Sequence, residues 1–230
     1  MGLPVLVQGL LGGSGDPPNA TTYGSPVTSG NVLVGTIHCA GNGTLGTVSF
    51  ADTVNAGNWN QLTLQNDATN SSTVGIFWIV TAGGTPTVTA TCSTPEYSNI
   101  CIAEYSGLTG TITVDSTGTT FASGSSATVT DTPVNNAHAN SLLICACMIN
   151  FGWNTAPSVW AGVGGTTQTG QYYAAQASAT NTPFSGTLGS SAIWDVATGI
   201  LYGASGGGGG VVAPSLTFPP GLSLIRLGQV

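Results

Sequence analysis

Val74-Gly75-Ile76-Phe77-Trp78-Ile79-Val80 is the stretch on which the fold turns. Val74, Ile76, Trp78 and Val80 alternate with Phe77 and Ile79, so an extended chain here is apolar on both faces. That pattern belongs to a strand in the middle of a sheet with covered faces. Leu142 to Ile149 repeats the signal more strongly, after a loop built from Asn135, Asn136 and Asn140.

Working outward, the same period of two recurs. Asn31 to Cys39 carries Val32 and Val34, then Ile37 and Cys39, and the change of phase at Gly35 predicts a bulge. Thr47 to Phe50 and Trp59 to Gln65 read as half-buried strands separated by a turn at Asn55 to Asn58. After the Gly83-Gly84 turn, Thr87 to Cys92 places Val88, Ala90 and Cys92 inward, and Ser98 to Tyr105 is apolar on both faces. Thr111 to Asp115 and Ala127 to Asp131 are short and polar. Pro157 to Trp160, Gln168 to Ala175, Ala192 to Val196 and Ile200 to Tyr202 complete a series of short strands bounded by Gly, Ser or Pro.

No segment shows a helical period, so the expectation is an all-β fold, an antiparallel two-sheet sandwich of jelly-roll-like form with extended terminal arms. The expected organisation is an N-terminal arm over 1–30, a β-sandwich domain over 31–204, and a glycine-rich segment with a C-terminal arm over 205–230. Pro214, Pro219 and Pro220 keep the last arm extended.

Charge narrows the function. Of 230 residues only 4% are charged, against roughly a quarter in an ordinary soluble domain, and 41% are hydrophobic. Arg226 is the single Lys or Arg, eight residues are Asp or Glu, and the net charge is -7. Nucleic acid is excluded as a partner, because phosphate binding needs several cationic contacts. A polybasic membrane anchor is excluded on the same ground. No run approaches the roughly 20 apolar residues of a spanning helix, so no transmembrane segment is expected. The apolar opening lacks a positive leader and is interrupted by Pro4, Gln8 and Gly9. With Met1 retained, the expectation is synthesis without signal cleavage.

The residues that carry chemistry are sparse. Cys39, Cys92, Cys101, Cys145 and Cys147 lie in strands and read as reduced core thiols, with a Cys92 to Cys101 hairpin disulfide as the alternative. His38 and His138 stand apart from any metal-ligand spacing. Gly203-Ala204-Ser205-Gly206-Gly207 has the form of a nucleophile elbow, but it sits in a glycine run without a following helix. Glu96 and Glu104 are too far apart along one strand to act as a glycosidase pair, and Glu104 reads as a carboxylate accepting amide bonds at the sheet rim. Asp52, Asp67, Asp115, Asp131 and Asp195 fall near expected turns; a calcium site between two loops is the alternative to backbone capping. No catalytic residue, metal ligand or cofactor is expected. Trp153 and Trp160, flanking Asn154 to Pro157, are the candidates for exposure; with Tyr172 and Tyr173 they are the possible glycan or interface contacts.

Val48-Ser49-Phe50-Ala51-Asp52-Thr53, Trp59, Phe77-Trp78, Ala82-Gly83-Gly84-Thr85-Pro86-Thr87-Val88-Thr89 and Ile102-Ala103-Glu104-Tyr105-Ser106-Gly107 together resemble a β-sandwich domain of bacteriophage structural proteins and large bacterial surface proteins. The resemblance covers about 31–150 and implies a jelly-roll-like scaffold with no catalytic constellation. The expected function is therefore a structural, non-enzymatic virion component, a decoration or fibre-head protein, that associates with itself or with other virion subunits. A glycan-binding adhesin at the cell surface, or an extracellular filament subunit, is the second reading. Leu3, Val5, Val7, Leu10 and Leu11 at one end, with Leu216, Phe218, Leu222, Leu224 and Arg226 at the other, are the expected assembly arms, because so many apolar side chains call for cover.

Overall fold

The computed structural model describes residues 2–41, 47–57, 59–93, 95–132, 134–149, 152–163 and 170–204. Its strands, in chain order, are β1 (Val5–Gly15), β2 (Asn19–Thr22), β3 (Val32–Gly41), β4 (Val48–Asp52), β5 (Asn60–Asp67), β6 (Ser72–Val80), β7 (Thr87–Cys92), β8 (Pro95–Ser106), β9 (Thr111–Val114), β10 (Thr120–Thr130), β11 (Ser141–Ile149), β12 (Trp153–Thr155), β13 (Ala161–Gly162), β14 (Gly170–Gln176) and β15 (Ser185–Ala204). Among the described residues there is no α-helix, only a single turn of 3-10 helix at Ser116–Gly118. The fold is all-β and antiparallel throughout, as the periodicity predicts.

The strands form three sheets. The first runs β1-β8-β3-β6-β5; the second is built on β10-β15-β11-β14-β13, with β9 and β12 also paired to the long β15; the third is the short β2-β7-β4. Even-numbered residues of β3 and β6, such as Val32, Val34, Ile76 and Trp78, meet Leu142, Ile144, Ala197 and Leu201 of the second sheet in one core. Odd-numbered residues of the same strands, Leu33, Ile37 and Phe77, meet Phe50, Val88 and Ala90 of the third sheet in another. A two-faced strand is what this layering demands: β6 is buried from Ser72 to Trp78, and β11 along its whole length. The third sheet adds a layer to the two-sheet sandwich that the sequence predicts.

Two expectations change. Gly35 makes no bulge, since β3 keeps an unbroken register with β6 and β8. A Cβ at Gly35 would overlap the Phe50 ring, so the glycine lets that ring lie against the strand. Phe50 in turn stacks on Phe77 with ring centroids 4.9 Å apart. The apparent phase change arises because both faces of β3 are buried.

The N-terminal segment is not a separate arm either. β1 is the edge strand of the first sheet, paired with β8, and β2 belongs to the third sheet. The boundary after residue 30 therefore divides no domain. Fully buried Glu104 holds the segment in place: its Oε1 accepts from the Thr28 amide (2.8 Å) and Asn31 Nδ2 (2.6 Å), and its Oε2 from Gln8 Nε2 (2.8 Å). The reading of Glu104 as an acceptor of amide bonds holds, extended to side-chain amides.

Candidate functional site

Two bulges in β1, between Leu6 and Gln8 and between Leu11 and Ser14, shift its alternation against β8. Leu6 packs on the core between the large sheets and Leu10 on the core beneath the third sheet. The remaining apolar side chains are turned outward, with Leu3 44%, Val5 56%, Val7 49% and Leu11 47% exposed. Among the described residues β1 pairs as a strand with β8 alone, which makes it an edge of the first sheet, and toward its C-terminal end the Gly13 amide donates to Thr21 Oγ1 at 2.9 Å. Edge strands that carry exposed apolar residues invite pairing with another chain. Of the expected N-terminal arm residues, Leu3, Val5, Val7 and Leu11 are thus exposed along or just before β1, and Leu10 is packed on a core. Leu216, Phe218, Leu222, Leu224 and Arg226 lie outside the described residues.

Three of the four aromatic candidates, Trp153, Trp160 and Tyr172, occupy a different place, the outer face of the second sheet. Trp160 is buried, stacks edge-on against Phe184 at 5.4 Å, and donates its indole N–H to the Pro183 carbonyl at 3.0 Å. Tyr172 is buried against the same Phe184 ring, and the half-buried Trp153 donates its N–H to the Tyr172 hydroxyl at 2.5 Å. Tyr173 points the other way and meets Tyr105 edge-on at 5.3 Å. The four do not share an exposed face, and burial removes Trp160 and Tyr172 as glycan contacts.

Among the aspartates, Asp52 and Asp115 cap turns, Asp131 is buried and accepts from the Thr120 and Thr198 hydroxyls, and Asp67 and Asp195 form a buried pair. Asp52 accepts from the Val54 and Asn55 amides, from Asn55 Nδ2 and from Trp59 Nε1, all within 2.9 Å. Asp115 caps the 3-10 turn through the Thr117 amide, and its Oδ2 lies 3.4 Å from His138 Nε2. The His138 ring stacks on Tyr202 at 3.6 Å. Asp195 is no turn residue; it lies mid-strand in β15, fully buried on the face toward the first sheet. Its oxygens accept from Asn70 Nδ2 (3.2 Å) and, through a short contact, from Ser72 Oγ. Asn70 Nδ2 also reaches Asp67 Oδ2 at 2.8 Å, so one amide joins two carboxyl groups. Burial, against the donors Ser72 and Asn70 and with the Asp67 charge beside it, pushes the Asp195 carboxyl up to about 6. Asp67 goes the other way: burial raises it, but hydrogen bonds from Ser123, the Thr69 and Asn70 amides and Asp195 outweigh that and hold it low. Among the described residues no group of three or more His, Cys, Asp or Glu is placed to hold a metal ion.

All five cysteines are buried and free. Cys92 packs under the third sheet and Cys101 between the two large sheets, which separates the pair considered as a hairpin disulfide. His38 is the side chain whose position the sequence understates. It lies on the inner face of β3, buried, with neither ring nitrogen bonded. Its parity with Val32, Val34 and Thr36 is the signal that places it there.

Compared with known proteins, the chain matches no family model, no curated protein and no solved structure. No helix among the described residues is long and apolar enough to cross a membrane.

Proposed function

We propose that the chain is a structural, non-enzymatic component of a virion, of the decoration or fibre-head kind, that self-associates with the β1 edge as its seam. The observation that carries this reading is the set of exposed apolar side chains Leu3, Val5, Val7 and Leu11 on and just before β1, an edge strand among the described residues. Two copies meeting edge to edge extend the first sheet across a two-fold axis, with main-chain bonds joining the strands. Burying the four half-exposed side chains adds on the order of 1 kcal/mol each per copy. The near absence of charge favours the same event, because little like-charge repulsion or ion desolvation opposes it. The virion setting rests on the resemblance carried by the strand and turn motifs of 31–150. The buried aromatic cluster gives the glycan-binding reading no support.

Hydrogen exchange tests the seam. Amides of Val5 to Leu11 on the outer side of β1 are expected to gain protection as protein concentration rises. Exchange in this segment that is independent of concentration, in a sample that is oligomeric, would move the interface elsewhere.

A further inference from the structure

Between the ends of the two large sheets lies a cavity of about 280 Å³, walled by β1, β3, β6 and β8 on one side and by β11 and β14 on the other. Leu11, nearly half exposed, forms part of its wall and marks where it reaches solvent. The volume lies near the lower end of the ~300–1,000 Å³ range of small-molecule sites and is many times what one water needs.

The wall has unspent hydrogen-bonding capacity. His38 sits between Val74 and Asn99 in register, more than nine-tenths buried, and both of its ring nitrogens lack a partner. A buried polar group without a partner is rare enough in a folded protein to require an explanation. Thr36, two residues earlier on the same face, lines the cavity with its hydroxyl-bearing side chain. Ser14 adds a hydroxyl, and Asn99, whose amide N–H donates to the Tyr97 hydroxyl at 3.2 Å, adds a side-chain amide. Leu11 and Val74 supply the apolar part.

We propose that this cavity binds one small neutral polyol, up to the size of a single sugar ring. The chemistry of the wall selects that class. No charged side chain lines it among the described residues, so neither an anion nor a cation finds a counter-charge there. Burial drives the His38 imidazole down to about 4, so the ring is neutral at physiological pH and offers one N–H donor and one lone pair. A hydroxyl can answer both, and the adjacent Thr36, Ser14 and Asn99 groups suit a molecule with several hydroxyls in sequence. The site adjoins the β1 seam at Leu11, and its chemistry does not depend on the virion reading.

The test is nitrogen-detected NMR of the full chain labelled at histidine, titrated with glycerol, D-glucose and N-acetyl-D-glucosamine, with inorganic phosphate as the anionic control. The expected result is a saturable shift of the His38 ring nitrogens with at least one polyol and none with phosphate. Thr36→Val, close to isosteric and therefore safe for folding, should weaken that binding about tenfold, the loss of roughly one hydrogen bond. His38→Leu, which lacks the reporting ring and is therefore followed by isothermal titration calorimetry beside the parent, should abolish the binding heat. Three results overturn the proposal: no saturable shift with any of the three polyols, a shift that phosphate reproduces, or an affinity unchanged in Thr36→Val.

Discussion

Asp195→Asn should make the protein more stable at neutral and alkaline pH. In the native protein the Asp195 carboxyl, fully buried between the large sheets, titrates at about 6 where an ordinary aspartate titrates at 3.8. Between these values the folded chain holds a proton that the unfolded chain has released, so stability falls as pH rises through this window. Below 3.8 both states are protonated and the loss vanishes; above 6 it is complete. A difference of 6 less 3.8 at about 1.4 kcal/mol per pH unit sets a ceiling near 3 kcal/mol. Because Asp67 shares the pair and is itself held low, about half of that, ~1.5 kcal/mol, is the expected contribution of Asp195. Asparagine keeps the shape, accepts from Ser72 or Asn70 through its oxygen, and can donate to Asp67 without a second negative charge. Urea unfolding followed by tryptophan fluorescence at intervals from pH 4 to 8 measures the effect. Asp195→Asn should match the parent at pH 4, exceed it by about 1–2 kcal/mol at pH 8, and lack its downward slope between pH 4 and 6. A variant that is less stable than the parent at pH 8 and keeps the slope would refute the reasoning.

Other sites give independent checks. Gly35→Ala drives a methyl group into the Phe50 ring and should cost about 1–3 kcal/mol in the same unfolding assay. Asp52→Ala strands the Val54 and Asn55 amides and the Trp59 indole N–H, and a loss of about 1–3 kcal/mol is expected. Burial raises the Asp52 carboxyl, but hydrogen bonds from Asn55, Val54 and Trp59 outweigh it and leave it below 3.8, so its contribution is present above that pH and fades as pH falls through the lowered value. Val7→Lys puts a charge on the exposed row and should break the assembly, seen by sedimentation velocity, while shifting subunit stability by no more than about 0.5 kcal/mol.

The strands were legible because burial on one or both faces writes itself into a period of two. β6 is apolar on both faces from Val74 to Trp78 and β11 from Leu142 to Ile149, and their place inside the sheets follows from that. The third layer was not legible. β2 lies in a proline- and glycine-rich stretch that looks like an arm, and the pairing of Asn19 to Thr22 with Thr87 to Ala90 joins residues nearly 70 apart. β15 reads in the sequence as two short strands, Ala192 to Val196 and Ile200 to Tyr202, because Ser185 to Thr187, where it first pairs with β10, is small and polar. Trp160 reads from the sequence as a candidate for exposure beside Pro157 with a core position equally open, and the core position is the one it takes; its partner Phe184 is distant in sequence and no spacing rule announces that contact. The inner-face parity of His38 and Asp195 could be read from Val34 and Ala197; what spacing hides is that one faces an open cavity and the other a second carboxylate.

The native mass of the unmodified protein, measured by light scattering across a hundredfold range of concentration, tests self-association most directly. The account predicts a discrete oligomer of even copy number, with β1 edges paired about two-fold axes, that dissociates only on dilution. A mass equal to the 22.8 kDa single chain at every concentration would contradict it.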